Sequence, residues 1–184
     1  MDTPGPLTIV IGTKNTGALD FKRLATNIAQ NVFIYFGAEV DIRFDDEVDD
    51  LGLSGNVISL GMEDQNTYLR KVVQDFGVEH FPIRAENQAI VVNDTIDAHR
   101  YSGEETGAIY LHPLPRSRLL LSICGTDQKG MEKAVRLFPY RTGSGQPDWI
   151  VVGPQMGVQG VQGVKAMGYY ANLWDIESAV SYFS

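Results

Sequence analysis

One pattern occurs three times in this chain: a short apolar run, a glycine, a polar turn and a segment with helical periodicity. The three copies lie at Leu7–Ala25, Asn56–Val73 and Leu119–Val135. Continuous apolar, β-branched runs are typical of strands buried on both faces, as in parallel sheets whose connections are helices. The repeat therefore predicts an α/β fold of three layers, with a mostly parallel sheet built from strand–glycine turn–helix units.

A proline turn interrupts this pattern in the second half of the chain. Pro113–Ser117 lies between two apolar runs, Ala108–His112 and Arg118–Cys124. Two such runs joined by a short proline turn indicate an antiparallel hairpin. We therefore expect a mixed sheet, in which this hairpin accompanies the parallel strands.

The spacing of apolar and polar residues locates the remaining elements. Helices are predicted from about Ala18 to Phe36 and over Thr67–Phe76, because apolar residues recur there at intervals of three and four. Ala98–Thr106 is polar and is expected to be a loop. The last segment, Gly168–Ser184, is expected to be an extended piece followed by a short helix from Ile176.

Length and composition are those of a single globular domain. The chain has 184 residues, of which 43% are hydrophobic, so residues 1–184 are interpreted as one domain with one substantial core. No run approaches the roughly 18 apolar residues that a membrane helix needs. The net charge of −8 argues against a nucleic-acid partner, because phosphate contacts need clustered lysine and arginine.

The N-terminus favours a domain that has been excised from a longer chain. Residues 1–6 resemble a linker and lead directly into the first apolar run. They contain no basic region followed by a long apolar segment, so this chain has no predicted signal peptide. A targeting signal would then belong to the parent protein.

No catalytic or cofactor-binding motif is complete in the sequence. A nucleophile elbow needs glycines two residues before and after its serine; Ser54 lacks the second glycine, and Ser144 has its glycines at the wrong spacing. A phosphate loop begins plausibly at Gly12, but Ala18 and Leu19 stand where lysine and serine or threonine are required. We therefore expect no catalytic residue and no cofactor in this chain.

The residues that usually bind metals are dispersed. His80, His99 and His112 have no zinc-site spacing, and Cys124 is the only cysteine. The acidic stretch Glu39–Asp50 does not fit a calcium loop, because the required glycine and the final glutamate are missing. No metal site is expected. We interpret the acidic stretch as a solvated strand edge and loop, with an irregular cation site as the alternative.

The topology nevertheless predicts where a ligand would bind. In open α/β sheets ligands bind beyond the carboxyl ends of the strands, where helix N-termini present free N–H groups. The alternative role for residues at this edge is helix capping or a solvated loop. The candidate binding residues are Lys14, Asn15, Asp64, Gln65, Asn66, Thr126, Asp127 and Gln128.

Several segments together resemble one known family. They are GPLTIVIGT from Gly5, NVISLG from Asn56, AIYLHP from Ala108, LLLSICGTDQKG from Leu119, DWIVVGP from Asp148 and AMGYYANLW from Ala166. Their order and the positions of their glycine and proline residues resemble the C-terminal region of secreted fungal prolyl-oligopeptidase-like (peptidase S9-type) α/β hydrolases or esterases. The resemblance spans most of the chain, and its motifs are short.

The resemblance implies an accessory role. In that family the serine–aspartate–histidine machinery is expected in a separate hydrolase domain upstream, and none of it matches a position here. The implied function is a non-catalytic accessory domain of a larger secreted hydrolase, with the rest of the parent chain as its partner. Two alternatives remain open: a small-molecule or carbohydrate-binding module that uses the carboxyl edge of the sheet, and a flavodoxin-like cofactor-binding enzyme.

Overall fold

The structure is a computed structural model that describes residues 6–14, 16–17, 19–48, 53–139 and 147–184. Within these ranges it contains eleven strands and four α-helices. The strands are β1 (Leu7–Ile11), β2 (Val40–Phe44), β3 (Val57–Leu60), β4 (Ile83–Glu86), β5 (Ala89–Asn93), β6 (Ala98–Tyr101), β7 (Gly107–Leu114), β8 (Arg118–Gly125), β9 (Trp149–Val152), β10 (Val164–Tyr170) and β11 (Ile176–Phe183). The helices are α1 (Phe21–Phe36), α2 (Thr67–Phe76), α3 (Gln128–Val135) and α4 (Met156–Gln159). Residues 1–5, most of the predicted linker, lie outside the described ranges.

Eight strands form one large sheet in the order β11-β10-β9-β7-β8-β3-β1-β2, and three form a small sheet in the order β4-β5-β6. The large sheet has two halves. From β8 to β2 the neighbours are parallel, whereas from β8 to β11 every pairing is antiparallel. The small sheet is antiparallel throughout.

The predicted three-layer, mostly parallel α/β architecture is therefore wrong. Strands account for 37% of the structure and helices for 29%, and half of the large sheet is antiparallel. The strand–turn–helix repeat describes only the half that contains β1, β3 and β8. The connection from β10 to β11 is too short for the crossover of a dozen or more residues that returns a chain parallel to itself.

The central hairpin has the predicted form. β7 pairs antiparallel with β8, and Ile109 lies opposite Ile123. Two other local predictions are wrong. The segment expected to be a polar loop begins with β6, which pairs with β5. The expected C-terminal helix is the edge strand β11, whose Phe183 lies opposite Ala166 of β10.

Helices α1 and α3 cover one face of the large sheet. Phe21, Leu24 and Ile28 of α1 are buried against residues such as Ile9 and Ile58. The helix begins after Asp20, whose carboxylate accepts a hydrogen bond from the Arg23 amide at 3.1 Å. It ends at Gly37, whose φ of 64° is the left-handed conformation that glycine adopts without steric cost.

The other face is covered by α2 and by the small sheet. Tyr68, Leu69 and Val72 of α2 pack with β1, β3 and β8 residues. Ile90 and Val92 of the small sheet lie over the other half of the large sheet, in a cluster that includes Trp149, which is fully buried. Helices α1 and α2 thus lie on opposite faces of the sheet, the arrangement in which open α/β sheets bind ligands beyond the carboxyl ends of their strands.

Candidate functional site

A cleft of about 500 Å³ lies at the carboxyl ends of β1 and β2, beside the start of α1. It lies at the carboxyl edge of the sheet, where open α/β sheets bind ligands, but between β1 and β2 and not at the switch point between β1 and β3. Its lining is polar and acidic at the mouth and apolar at the base. The described residues that line it are Ile11, Gly12, Thr13, Thr16, Leu19, Asp20, Phe21, Lys22, Phe44, Asp46 and Glu47.

A buried carboxylate holds the loops behind this cleft together. Asp45 is only 3% exposed. One of its carboxylate oxygens accepts a hydrogen bond from the Thr13 hydroxyl at 2.7 Å, and the other accepts one from the Thr67 amide at 2.5 Å. The Asp45 amide in turn donates to the Ile11 carbonyl at 2.9 Å. This single residue therefore links the end of β1, the end of β2 and the start of α2. The interpretation of the acidic stretch as solvated does not hold for it.

Gly12 is required at the end of β1 by a close approach of two backbone turns. A Cβ atom at this position would lie 2.6 Å from the Gln65 carbonyl oxygen. The Lys14 amide donates to the same carbonyl at 3.0 Å. The turn after β1 is therefore packed directly against the turn after β3, behind the cleft.

The cleft combines an aromatic ring with carboxylates. The Lys22 ammonium lies 5.0 Å from the centre of the Phe44 ring. The carboxylates belong to Asp20, Asp46 and Glu47. Asp20 caps α1, and one Glu47 oxygen accepts the Phe44 amide at 3.0 Å. The Arg23 guanidinium lies 3.3 Å from the second Asp20 oxygen, so the Asp46 and Glu47 carboxylates face the Lys22 ammonium. This balance makes the site unfavourable for an anion, and hydroxyl-bearing ligands can donate to the carboxylate oxygens that remain.

Of the predicted residues after β1 and β3, those that the structure describes lie next to the cleft but do not line it. Lys14 is exposed, and Asn15 lies outside the described residues. Gln65 accepts the Met62 amide at 2.9 Å through its side-chain oxygen. Asn66 is fully buried; its side chain caps α2 at the Leu69 amide and donates to the carbonyls of Val10 and Leu60. Asp64 is partly buried in the same turn.

The predicted residues after β8 form a second group at the same edge. The Thr126 hydroxyl donates to the Gly103 carbonyl at 2.9 Å. Asp127 caps α3 and also accepts the Glu105 amide at 2.7 Å. The side-chain oxygen of Gln128 accepts the Asp20 amide at 2.9 Å, so Gln128 alone in this group touches a cleft residue. For these residues the structure shows capping and turn contacts, and a ligand-binding role stays a prediction.

Sequence reasoning missed the residues that actually line the cleft. Thr16, Asp20, Phe44, Asp46 and Glu47 were not among the candidates. The signal available for the last two was the acidic stretch Glu39–Asp50, in which they directly follow the segment that proved to be β2. The pairing of β2 beside β1 brings these acids to the start of α1, and that pairing is a tertiary feature.

Reactive side chains elsewhere are used for packing. Cys124 is fully buried, and burial raises its thiol pKa to about 12. His112 is also fully buried, against the Phe81 ring at 4.3 Å between centroids, and burial lowers its pKa to about 3. His99 is stacked on Phe183 at 3.9 Å.

The serines and the residue types that bind metals also bear on possible chemistry. Ser59 and Ser122 are buried and hydrogen-bonded to each other at 3.0 Å. Ser54 is exposed just before β3, at the opposite edge of the sheet from the cleft, and Ser144 lies outside the described residues. In the ranges that the structure describes, no three histidine, cysteine, aspartate or glutamate residues are grouped as metal ligands.

An ion pair joins this edge to the small sheet. The Arg84 guanidinium of β4 binds the Glu63 carboxylate, which follows β3, through two nitrogens. The Glu63 side chain is 6% exposed and that of Arg84 is 18% exposed. The pair anchors the small sheet against the carboxyl edge of the large one.

Comparison with known proteins identifies a similar secreted fungal protein. An uncharacterised secreted protein of Arthroderma benhamiae is 42% identical to this chain over 78 residues, which are 42% of the chain and 8% of that protein's length. No family model matches the chain. None of the helices in the described ranges is long and apolar enough to cross a membrane. The secreted, fungal part of the expected resemblance is thus supported, and a relation to prolyl-oligopeptidase-like hydrolases stays a proposal.

Proposed function

We propose that this chain is a non-catalytic domain of a longer secreted protein, and that it binds a small polyhydroxylated ligand such as a sugar. The observation that carries the proposal is the cleft of about 500 Å³ at the carboxyl ends of β1 and β2. Its size lies within the range of about 300–1,000 Å³ that is usual for small-ligand sites.

The chemistry of the cleft favours a neutral polyol over other ligands. Carboxylate oxygens of Asp46 and Glu47 can accept hydrogen bonds from vicinal hydroxyls, and the Thr16 hydroxyl can donate or accept. Leu19 and Phe44 offer apolar surface to the C–H face of a sugar ring. An anionic ligand would meet the Asp46 and Glu47 carboxylates against the single Lys22 ammonium, so its binding is disfavoured.

The longer parent protein is proposed to be a serine hydrolase of the prolyl-oligopeptidase-like kind. Support for the hydrolase comes from the short motifs that resemble that family, and support for a longer secreted parent comes from the similarity to one segment of a long secreted protein. In this arrangement the present domain would hold or select substrate for a hydrolase domain elsewhere in the parent. A serine-directed phosphonate probe tests it: labelling of the full-length parent outside this domain agrees with the proposal, and a full-length parent that resists labelling contradicts it.

Thermal unfolding with a panel of neutral mono- and oligosaccharides tests the binding site. A ligand that binds only the folded state raises the melting temperature by mass action. We expect at least one sugar to raise it, and Asp46→Ala to abolish the rise. Asp75→Ala, which removes an exposed carboxylate on α2, serves as the matched control. A rise in melting temperature that persists both in Asp46→Ala and in the double variant Thr16→Ala/Asp46→Ala would place the ligand outside the cleft.

A further inference from the structure

Strand β2 is the outermost strand of the large sheet. It pairs with β1 on one side, and in the described part of the chain no strand lies on its other side. An edge strand presents unpaired N–H and C=O groups and is a template for another strand. Three of its five residues are exposed.

An apolar surface continues beside this edge at the end of α1. Ile28 and Val32 are buried under the helix, and the same stripe continues at Tyr35 and Phe36, three and four residues further on. There the sheet no longer covers it: Tyr35 is 63% exposed and Phe36 is 55% exposed. The neighbouring Phe33 is 61% exposed. The last turn of α1 therefore extends the apolar face of the helix beyond its own sheet.

The apolar face of β2 belongs to the same side of the sheet. Val40 and Phe44 pack against the cluster under α1. Because side chains alternate along a strand, Ile42 points to that side as well, and it is 40% exposed. Asp41 and Arg43 point to the opposite side, where the Arg43 Nε donates to the Asp41 carboxylate at 2.6 Å.

The residue order of β2 is self-complementary. In an antiparallel pairing of two β2 strands centred on Ile42, Val40 lies opposite Phe44, Asp41 opposite Arg43, and Ile42 opposite Ile42. Each apolar residue then meets an apolar residue, and each charge meets its opposite. Opposite charges and apolar pairs directly across an antiparallel ladder are stabilising, and like charges there are destabilising.

We propose that a second copy of this chain pairs antiparallel with β2 about a two-fold axis through Ile42. The two large sheets become one continuous sheet, and the exposed ends of both α1 helices lie on the same face across the axis. The interface is isologous, as in most symmetric dimers. The inference goes beyond the proposed ligand binding and does not depend on it.

Charge-reversal variants test this register by sedimentation velocity over a range of protein concentrations. The wild-type chain is expected to form a concentration-dependent dimer. In a dimer of the Asp41→Arg variant, arginine faces arginine at two positions of the ladder, and in a dimer of the Arg43→Asp variant aspartate faces aspartate at two positions. Each substitution is therefore expected to raise the dimer dissociation constant about tenfold or more. The double variant Asp41→Arg/Arg43→Asp restores both pairs and is expected to dimerise again.

A mixing experiment separates the interface from effects on folding. The Asp41→Arg copy carries only positive charge at these two positions and the Arg43→Asp copy only negative charge, so an equimolar mixture is expected to form a heterodimer. Arg100→Asp on β6 is the control and keeps the wild-type dimer. A monomeric wild-type chain would overturn the proposal, and so would single variants that dimerise like the wild type or a mixture that stays monomeric.

Discussion

The Thr13 hydroxyl donates a 2.7 Å hydrogen bond to the carboxylate of Asp45, across a separation of 32 residues. The same carboxylate accepts the Thr67 amide at the start of α2. A buried aspartate thus organises the carboxyl edge of the sheet, and it does so from directly behind the cleft. The arrangement makes the shape of the cleft depend on a residue that does not line it.

Replacing Asp45 is expected to destabilise the fold. Asp45→Ala removes the charged acceptor of the Thr13 hydroxyl and of the Thr67 amide, at a total cost of about 1.5–3 kcal/mol, because Thr13 is exposed and Thr67 half-buried, so water can replace part of the lost bonding. Urea unfolding at neutral pH measures the loss. The matched control is Asp46→Ala, one residue further along and exposed, which should change the free energy of unfolding by less than about 0.5 kcal/mol. Equal effects of the two variants would refute the role of Asp45.

Adding a methyl group at Gly12 is expected to force the two turns apart. Its Cβ would lie 2.6 Å from the Gln65 carbonyl oxygen, which belongs to the backbone and has little freedom to move. We expect Gly12→Ala to lower the free energy of unfolding by about 1–3 kcal/mol. Gly157→Ala is the control, because a Cβ at Gly157 meets nothing within 4 Å. If Gly12→Ala were as stable as Gly157→Ala, the backbone contact would not be present.

The buried His112 predicts a loss of stability on acidification. Burial lowers its folded-state pKa to about 3, whereas an unfolded histidine titrates near pH 6.5. The unfolded state therefore binds the extra proton first, so the stabilisation is complete above pH 6.5 and declines as the pH falls towards 3. Between pH 7 and pH 5 the loss is about 2 kcal/mol.

Urea unfolding of the wild type and of His112→Leu at both pH values checks this. The variant has no imidazole to protonate, so we expect its free energy of unfolding to fall by about 2 kcal/mol less than that of the wild type over this interval. A wild-type protein whose pH dependence matched that of the variant would show that His112 titrates normally.

Cys124 is expected to be unreactive in the folded protein. It is fully buried, and burial raises its thiol pKa to about 12. The thiol is therefore neither accessible to reagents nor ionised at neutral pH. Reaction with a thiol-specific disulfide reagent should be absent under native conditions and stoichiometric in concentrated guanidinium. Rapid labelling of the native protein would mean that β8 is exposed to solvent.

Local structure was largely readable from the sequence. The bounds predicted for the second helix, Thr67–Phe76, are those of α2, and the apolar run Leu7–Ile11 is β1. Asp127 caps a helix, as its position after a strand and a glycine indicated. These features depend on residues that are neighbours along the chain, where capping and periodicity act directly.

What the sequence by itself determined is therefore the set of buried strands and capped helices on the parallel side of the sheet. The tertiary structure decided the rest. Ile176–Phe183 is a strand because β10 is available to pair with it, and the antiparallel half of the sheet follows from short connections. The cleft exists because β2 pairs with β1, which brings Asp46 and Glu47 beside Asp20 and Lys22. Strand pairing joins residues that are distant in sequence, and no local pattern specifies which strand will be the neighbour.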